Sequence, residues 1–286
     1  MKKHRVFVYG TLRQHEVNHS LLKQAMCLAR QAWTNGILYD TTYGYPAMVT
    51  DKEERVYGEV YEISEDQLRR LDELEGYTGN PKEDLYDRVI QTIHTDHGRF
   101  DAYVYIFDDT KAAHLNRIDF GDWKCHQYIQ QDQHLYFAYG SCMDDERFRK
   151  ANVDHLFTRI RGCGIAKNYR LAYARRSNDG SRADMVEAEQ WVEGKVYEIT
   201  KDALDYLFFR EGVYSGIYRP AFLDVEIAGK KHENVLTFLV IDKVEELAPP
   251  EHYALEILRG SKDFVSDEYY QKLVNDLKEK FNLKIK

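Results

Sequence analysis

The 286-residue sequence predicts two tandem α+β halves, and three observations carry that expectation. An apolar run ending in Tyr-Gly-Ser/Thr occurs twice, as VFVYGTL at 6–12 and YFAYGSC at 136–142. A second motif, GEVYEIS at 58–64, returns as GKVYEIT at 194–200. The two motifs keep their order at offsets of 130 and 136 residues, which marks a duplicated domain rather than a short-period solenoid. The length agrees, because a chain of this size exceeds what one hydrophobic core usually serves.

In the first half, the apolar run 6–12 reads as a strand closed by a glycine turn, and the stretch LLKQAMCLARQA after it reads as a helix. VYEI at 60–63 has the β-branched and aromatic content of a strand. Ser64 then caps a helix, Gln67 completes a capping box, and Leu68, Leu71 and Leu74 form its buried stripe. The helix runs into Glu75-Gly76, followed by Tyr86, Arg88 and a strand at 89–96. Polar KCHQYIQQDQH at 124–134 has no clear period and is expected to link two domains, residues 1–126 and 133–286.

The second half repeats the order. DDERFRKA at 144–151 reads as a helix after the Tyr-Gly turn. Thr200 caps another, with Ala203, Leu204, Leu207 and Phe208 on its inner face, ending at Glu211-Gly212. Tyr218, Arg219 and a strand at 222–229 follow. Beyond Pro249-Pro250, HYALEIL reads as a helix stopped at Gly260, and Ser266 caps a final helix with Tyr269, Leu273, Leu277 and Phe281 on one face. Strands and helices in this order lack βαβ alternation, so a mainly antiparallel or mixed sheet is expected in each half.

Composition narrows the function. A net charge of −8, spread over both halves, disfavours nucleic acid as a partner. The basic stretch Arg159, Arg161, Lys167, Arg170, Arg175 and Arg176 reads as a solvated surface. No run approaches the ~20 apolar residues of a membrane span, and MKKHR precedes too short an apolar segment for a signal peptide, so a cytoplasmic protein is expected. Cys27, Cys125, Cys142 and Cys163 form no CxxC, and His114, His126, His232 and His252 show no ligand spacing; no metal site is expected. Trp33, Trp123 and Trp191 read as core or rim residues.

Two features carry chemistry. A glycine turn after a strand and before a helix can present N–H groups to a carboxylate or an oxyanion. Each Glu of the Glu-Gly pairs sits in the last turn of a helix, against the negative end of the dipole, where a carboxylate is unfavourable unless something else requires it. Cys142, beside its glycine turn, is a rival candidate as a thiolate nucleophile with His134 or His155 as partner.

VFVYGTLR at 6–13, YPAM at 45–48, LDELEGY at 71–77, YDR at 86–88 and GDW at 121–123 resemble the gamma-glutamylamine cyclotransferase branch of the gamma-glutamylcyclotransferase-like proteins. YFAYGS at 136–141, GKVYEIT at 194–200 and EGVYSGIYR at 211–219 are similar to the gamma-glutamylcyclotransferase branch. The resemblance implies a small mixed β-barrel flanked by helices in each half, acting without metal or cofactor on a γ-glutamyl small molecule. Its α-amine would attack its own γ-carbonyl, giving 5-oxoproline and a free amine or amino acid. Carried over, Glu75 and Glu211 match the general acid/base. Tyr9, Gly10, Thr11 and Leu12, with Tyr139, Gly140 and Ser141, match the substrate loop, and Cys142, Tyr86, Arg88, Tyr218 and Arg219 are expected to line the site. Cys142 stands where that branch has Asn. A second expectation is therefore kept, that one or both halves only bind a γ-glutamyl or carboxylate metabolite.

Overall fold

The structure, a computed structural model, describes residues 2–283. It divides into two units, Met1–Ile129 and Gln130–Lys286. The first contains β1 (Lys3–Val8), β2 (Met26–Asn35), β3 (Ile37–Asp40), β4 (Pro46–Val49), β5 (Arg55–Ser64), α1 (Glu65–Glu75), β6 (Tyr86–Thr95), β7 (Gly98–Phe107), α2 (Asp109–Ala112), β8 (Asn116–Arg117) and α3 (Trp123–Tyr128). The second contains β9 (Gln133–Ala138), α4 (Asp145–Lys150), β10 (Ile160–Ser177), β11 (Gly180–Thr200), α5 (Lys201–Arg210), β12 (Tyr218–Ile227), β13 (Lys230–Val240), α6 (Glu251–Ser261) and α7 (Asp267–Phe281).

In the first unit β1, β5, β2, β6 and β7 close into a barrel in that order, with β1 antiparallel to β5 and parallel to β7. The second barrel closes as β9, β11, β10, β12 and β13, with β9 antiparallel to β11 and parallel to β13, so each strand has its counterpart. The two-residue period of a strand sorts the first core into two layers. Phe7 and Tyr9 pack in one cluster with Val60, Ile93, Val104 and Trp123, while Val6 and Val8 pack in another with Ile63, Leu68 and Leu71 of the α1 side.

The repeated Gly-x-Val-Tyr-Glu-Ile motif owes its glycine to this pairing. A Cβ on Gly58 would lie 2.3 Å from the Val8 carbonyl oxygen, and one on Gly194 would lie 2.3 Å from that of Ala138. The strands of each barrel can approach there only because no side chain intervenes. The Glu-Gly pairs likewise end α1 and α5 with a glycine in the left-handed region, Gly76 at φ 63° and Gly212 at φ 63°.

Several local expectations are corrected. LLKQAMCLARQA is not a helix: a 3-10 turn at His19–Leu22 gives way to β2, whose residues pair with β5 from Met26 onward. Tertiary pairing with an apolar strand outweighs the helical propensity of Leu, Lys, Gln and Ala. Ser64 does form the capping box with Gln67, but Thr200 precedes α5 without a side-chain cap. Leu68 and Leu71 are buried, whereas Leu74 is 39% exposed. Part of the expected linker is helix α3, capped by Asp122, with Trp123 and Cys125 buried. The helices α4, α6 and α7 occur where expected, α7 with Ser266 capping through the Tyr269 N–H.

Among the described residues no helix is long and apolar enough to cross a membrane, and no group of three or more His, Cys, Asp or Glu could hold a metal ion. No disulfide joins Cys27, Cys125, Cys142 and Cys163.

Candidate active site

At the end of β1 the chain turns through Tyr9, Gly10, Thr11 and Leu12 along one wall of a cavity of about 320 Å³. Gly10 makes this wall thin, since a Cβ there would lie 2.7 Å from the Pro46 ring at the start of β4. Tyr86 and Tyr105 complete the interior, and each tyrosine is pinned by its hydroxyl. Tyr9 donates to the Tyr105 carbonyl oxygen at 2.7 Å, Tyr86 to that of Pro46 at 2.9 Å, and Tyr105 to Asp72 at 2.8 Å.

Glu75, from the last turn of α1, faces this cavity. Among the described residues no cation pairs with it, and the tyrosyl and aliphatic walls strip water from the carboxylate. That desolvation pushes its pKa up to about 7. A carboxyl poised near neutrality in a concave site can both accept and donate a proton.

Arg88 does not line the cavity. Its guanidinium pairs with Asp72 and lies over the rings of Tyr77 and Tyr103, so it sits behind the wall and orders the acceptor of Tyr105.

The segment after the turn is locked by buried charges. Arg13 contacts Glu59 at 3.4 Å and Asp122 at 2.8 Å, Lys124 reaches Glu59 at 3.6 Å, and Glu59 accepts from the Gln14 N–H and the Tyr61 hydroxyl. Burial pushes the Glu59 carboxyl up, but Lys124, Arg13 and these hydrogen bonds outweigh it and hold the pKa at about 2. The sequence offered a sign of this cluster only in GDW and the charge within GEVYEI; its partners come from 40 to 110 residues apart, as the Gln14 to Glu59 and Arg13 to Asp122 bonds illustrate.

The corresponding place in the second unit is built differently. Tyr139, Gly140, Ser141, Cys142, Glu211 and Tyr218 do come together, but around a space of only about 30 Å³, room for a water or two. Ala183, from the long β10–β11 hairpin, occupies the position Pro46 has in the first unit. It accepts from the Tyr218 hydroxyl at 2.7 Å and its N–H donates to Tyr253 of α6 at 3.1 Å. Arg210, which stands where the first unit has Leu74, donates to the Cys142 sulfur at 3.3 Å and lies 3.6 Å from Glu211. The thiol in turn donates to Glu211 at 3.4 Å.

Burial pushes the Cys142 thiol up, only partly offset by Arg210, the opposite of what a thiolate nucleophile requires. Arg210 and Glu211, rather than His134 or His155, surround the sulfur. Arg219 is buried and donates to the Pro220 carbonyl oxygen; it is not among the residues facing the space. Lys195, the counterpart of Glu59, reverses the charge under the turn and pairs with Asp145 at 3.0 Å. Tyr45, Pro46 and Tyr105 in the first unit, and Ala183, Phe238 and Tyr253 in the second, line these places without having been expected to.

Comparison with known proteins shows the family and the tandem fold. Residues 6–125 match the family described as gamma-glutamyl cyclotransferase, AIG2-like, and residues 191–273 match the AIG2-like family. The chain is 44% identical over 271 residues to "Putative gamma-glutamylcyclotransferase YkqA" of Bacillus subtilis, covering 94% of this chain and 95% of that one. The crystal structure of YkqA superposes with a TM-score of 0.87 at 42% identity, covering 96% and 98% of the two chains. The chain is also 38% identical over 120 residues to the gamma-L-glutamyl-butirosin B gamma-glutamyl cyclotransferase of Niallia circulans, covering 42% of this chain and 74% of that protein.

Proposed function

Because this chain belongs to the AIG2-like gamma-glutamylcyclotransferase family, we propose that its first unit converts a γ-glutamyl amide to 5-oxoproline and a free amine, with Glu75 carrying the proton. The observation that bears this reading is the Glu75 carboxyl, facing a cavity of about 320 Å³ beside the Tyr-Gly-Thr turn and poised near pH 7.

The chemistry is a proton relay within one substrate. The α-ammonium gives a proton to the Glu75 carboxylate, and the freed nitrogen attacks the γ-carbonyl carbon, closing a five-membered ring. The C–N bond to the leaving group then breaks as Glu75 returns the proton to the departing nitrogen, and the ring nitrogen sheds its remaining extra proton to the released amine or to water. Backbone N–H groups of the Gly10–Leu12 turn hold the substrate and offset charge on the carbonyl oxygen. Tethering nucleophile and electrophile in one molecule supplies much of the remaining acceleration.

For the second unit the absence of turnover is favoured, and the γ-glutamyl binding that the second expectation paired with it is not. Its space of about 30 Å³ cannot admit a γ-glutamyl group, and Glu211 is already engaged by Cys142 and Arg210.

The test is release of 5-oxoproline by the full-length protein from γ-glutamyl amides, beside Glu75→Gln and Glu211→Gln. Loss in the first variant alone is the expected outcome. Unchanged release in Glu75→Gln would overturn the assignment.

A further inference from the structure

Three tyrosine hydroxyls surround Glu75, and each is bonded elsewhere. Tyr9 just after β1, Tyr86 at the start of β6 and Tyr105 from β7 line the cavity with the carboxyl. Burial first, and the Glu75 charge among their neighbours after it, raises the pKa of all three. A phenol is a donor that can satisfy a desolvated carboxylate. Here Tyr9 and Tyr86 donate to backbone carbonyls, and Tyr105 donates to Asp72 at 2.8 Å. Tyr43 and Tyr45 complete the ionisable lining, which contains no Lys, Arg or His. Among the described residues none donates a hydrogen bond to Glu75.

Two of those acceptors belong to the backbone, but Asp72 is a side chain, and its place is specific. It lies one turn before Glu75 on α1, so the two carboxyls share a face of the helix. Arg88 pairs with the same Asp72 carboxylate and stands directly opposite Tyr105 across β6 and β7. The second unit lacks all three residues at once. At the offset of 136 that relates Glu75 to Glu211, Phe208 takes the place of Asp72. Tyr139 donates to the Phe238 carbonyl oxygen as Tyr9 does to that of Tyr105, which makes Phe238 the counterpart of Tyr105. Pro220 stands opposite Phe238 as Arg88 does opposite Tyr105, and the Phe208 and Phe238 rings pack with centroids 5.7 Å apart. Glu211 has the Cys142 thiol and Arg210 against it. Hydroxyl, acceptor and cation therefore occur together beside the glutamate that has no donor, and are absent together beside the one that has.

We propose that Asp72 is a positioning residue for Glu75: by holding the Tyr105 hydroxyl, with Arg88 behind it, it denies Glu75 a donor that would fix it as a carboxylate. The consequence for catalysis rests on the cyclotransferase reading of the cavity, since a proton carrier must take up and release its proton within one pH range. A hydrogen bond donated to an ionised carboxyl favours that form and lowers its pKa. Without Asp72 the Tyr105 hydroxyl turns to Glu75, one helical turn away.

NMR titration of the glutamate carboxyl carbons in the full-length protein reads Glu75 without any substrate, its signal identified by loss in Glu75→Gln. In Asp72→Ala the Glu75 pKa should fall from about 7 by about one to two pH units, the worth of a hydrogen bond to a charged group. Removing the Asp72 charge also favours the carboxylate, so Asp72→Ala combined with Tyr105→Phe separates the two causes. Restoration of at least half of the fall in the double variant assigns it to the hydroxyl. An unchanged pKa in Asp72→Ala, or a smaller restoration, would overturn the proposal. Should Asp72→Ala fail to fold, Tyr105→Phe alone decides. A pKa still near 7 supports the assignment, whereas a rise shows that the hydroxyl already serves Glu75 and overturns it. The acid limb of kcat/KM for 5-oxoproline release should move with the titration. No release from any γ-glutamyl amide would fail the cyclotransferase reading separately and leave the titration to decide Asp72.

Discussion

Glu75 and Glu211 occupy equivalent positions after equivalent helices, yet their neighbours give them different chemistry. Glu75 has only desolvating walls about it, so it is the group whose ionisation should govern turnover. We expect kcat/KM to rise with pH through about 7 as the carboxylate forms, and Glu75→Gln to lower kcat by about 10²–10⁴-fold, the usual weight of a general acid/base. A stability effect accompanies it. With its folded pKa raised above the unfolded value, Glu75 favours neither state below about pH 4, and its ionisation increasingly penalises the folded state as pH rises through about 7. Glu75→Gln should therefore match the parent in urea unfolding at pH 4 and exceed it at pH 8 by up to ~3 kcal/mol. The position of Glu75 at a helix end, where the dipole disfavours it, was readable in the sequence; the size of its cavity was not, because Tyr43, Pro46, Tyr86 and Tyr105 come from distant segments.

Among the elements, α1 separates what periodicity conveys from what packing adds. Leu68, Leu71 and Leu74 follow one helical stripe, but Leu71 is fully buried against the barrel while Leu74 stands at the cavity mouth. Leu71→Ala should cost about 2–5 kcal/mol in urea denaturation, and Leu74→Ala should stay within about 0.5 kcal/mol. Strand β5 is held to the Tyr-Gly turn through Glu59. At neutral pH, Glu59→Gln would leave Arg13 and Lys124 short of a buried counter-charge, with an expected loss of about 3–5 kcal/mol. Because the folded pKa of Glu59 lies below its unfolded value, that contribution is present above about pH 4.5 and should vanish as pH falls toward 2, where parent and variant converge. The misread stretch LLKQAMCLARQA shows the limit of local propensity: its second part is drawn into β2 by pairing with β5, a partner some 30 residues away.

At the scale of the whole chain, two barrels of the same strand order carry two sites of very different capacity, about 320 Å³ and about 30 Å³. We expect 5-oxoproline release by the full-length Glu211→Gln protein to equal that of the parent within experimental error; a loss of half or more would show that the second unit turns over. The sequence by itself determined the duplication, the α+β class and the location of both Glu-Gly and Tyr-Gly pairs. It could do so because these depend on residues near one another in the chain: a capping box, a two-residue strand period, a glycine that lets β1 and β5 approach. Only the tertiary structure decided which site is open. That outcome turns on Tyr253 of α6, Ala183 of the β10–β11 hairpin and Arg210 beside Cys142, side chains far apart in sequence whose meeting no local pattern encodes.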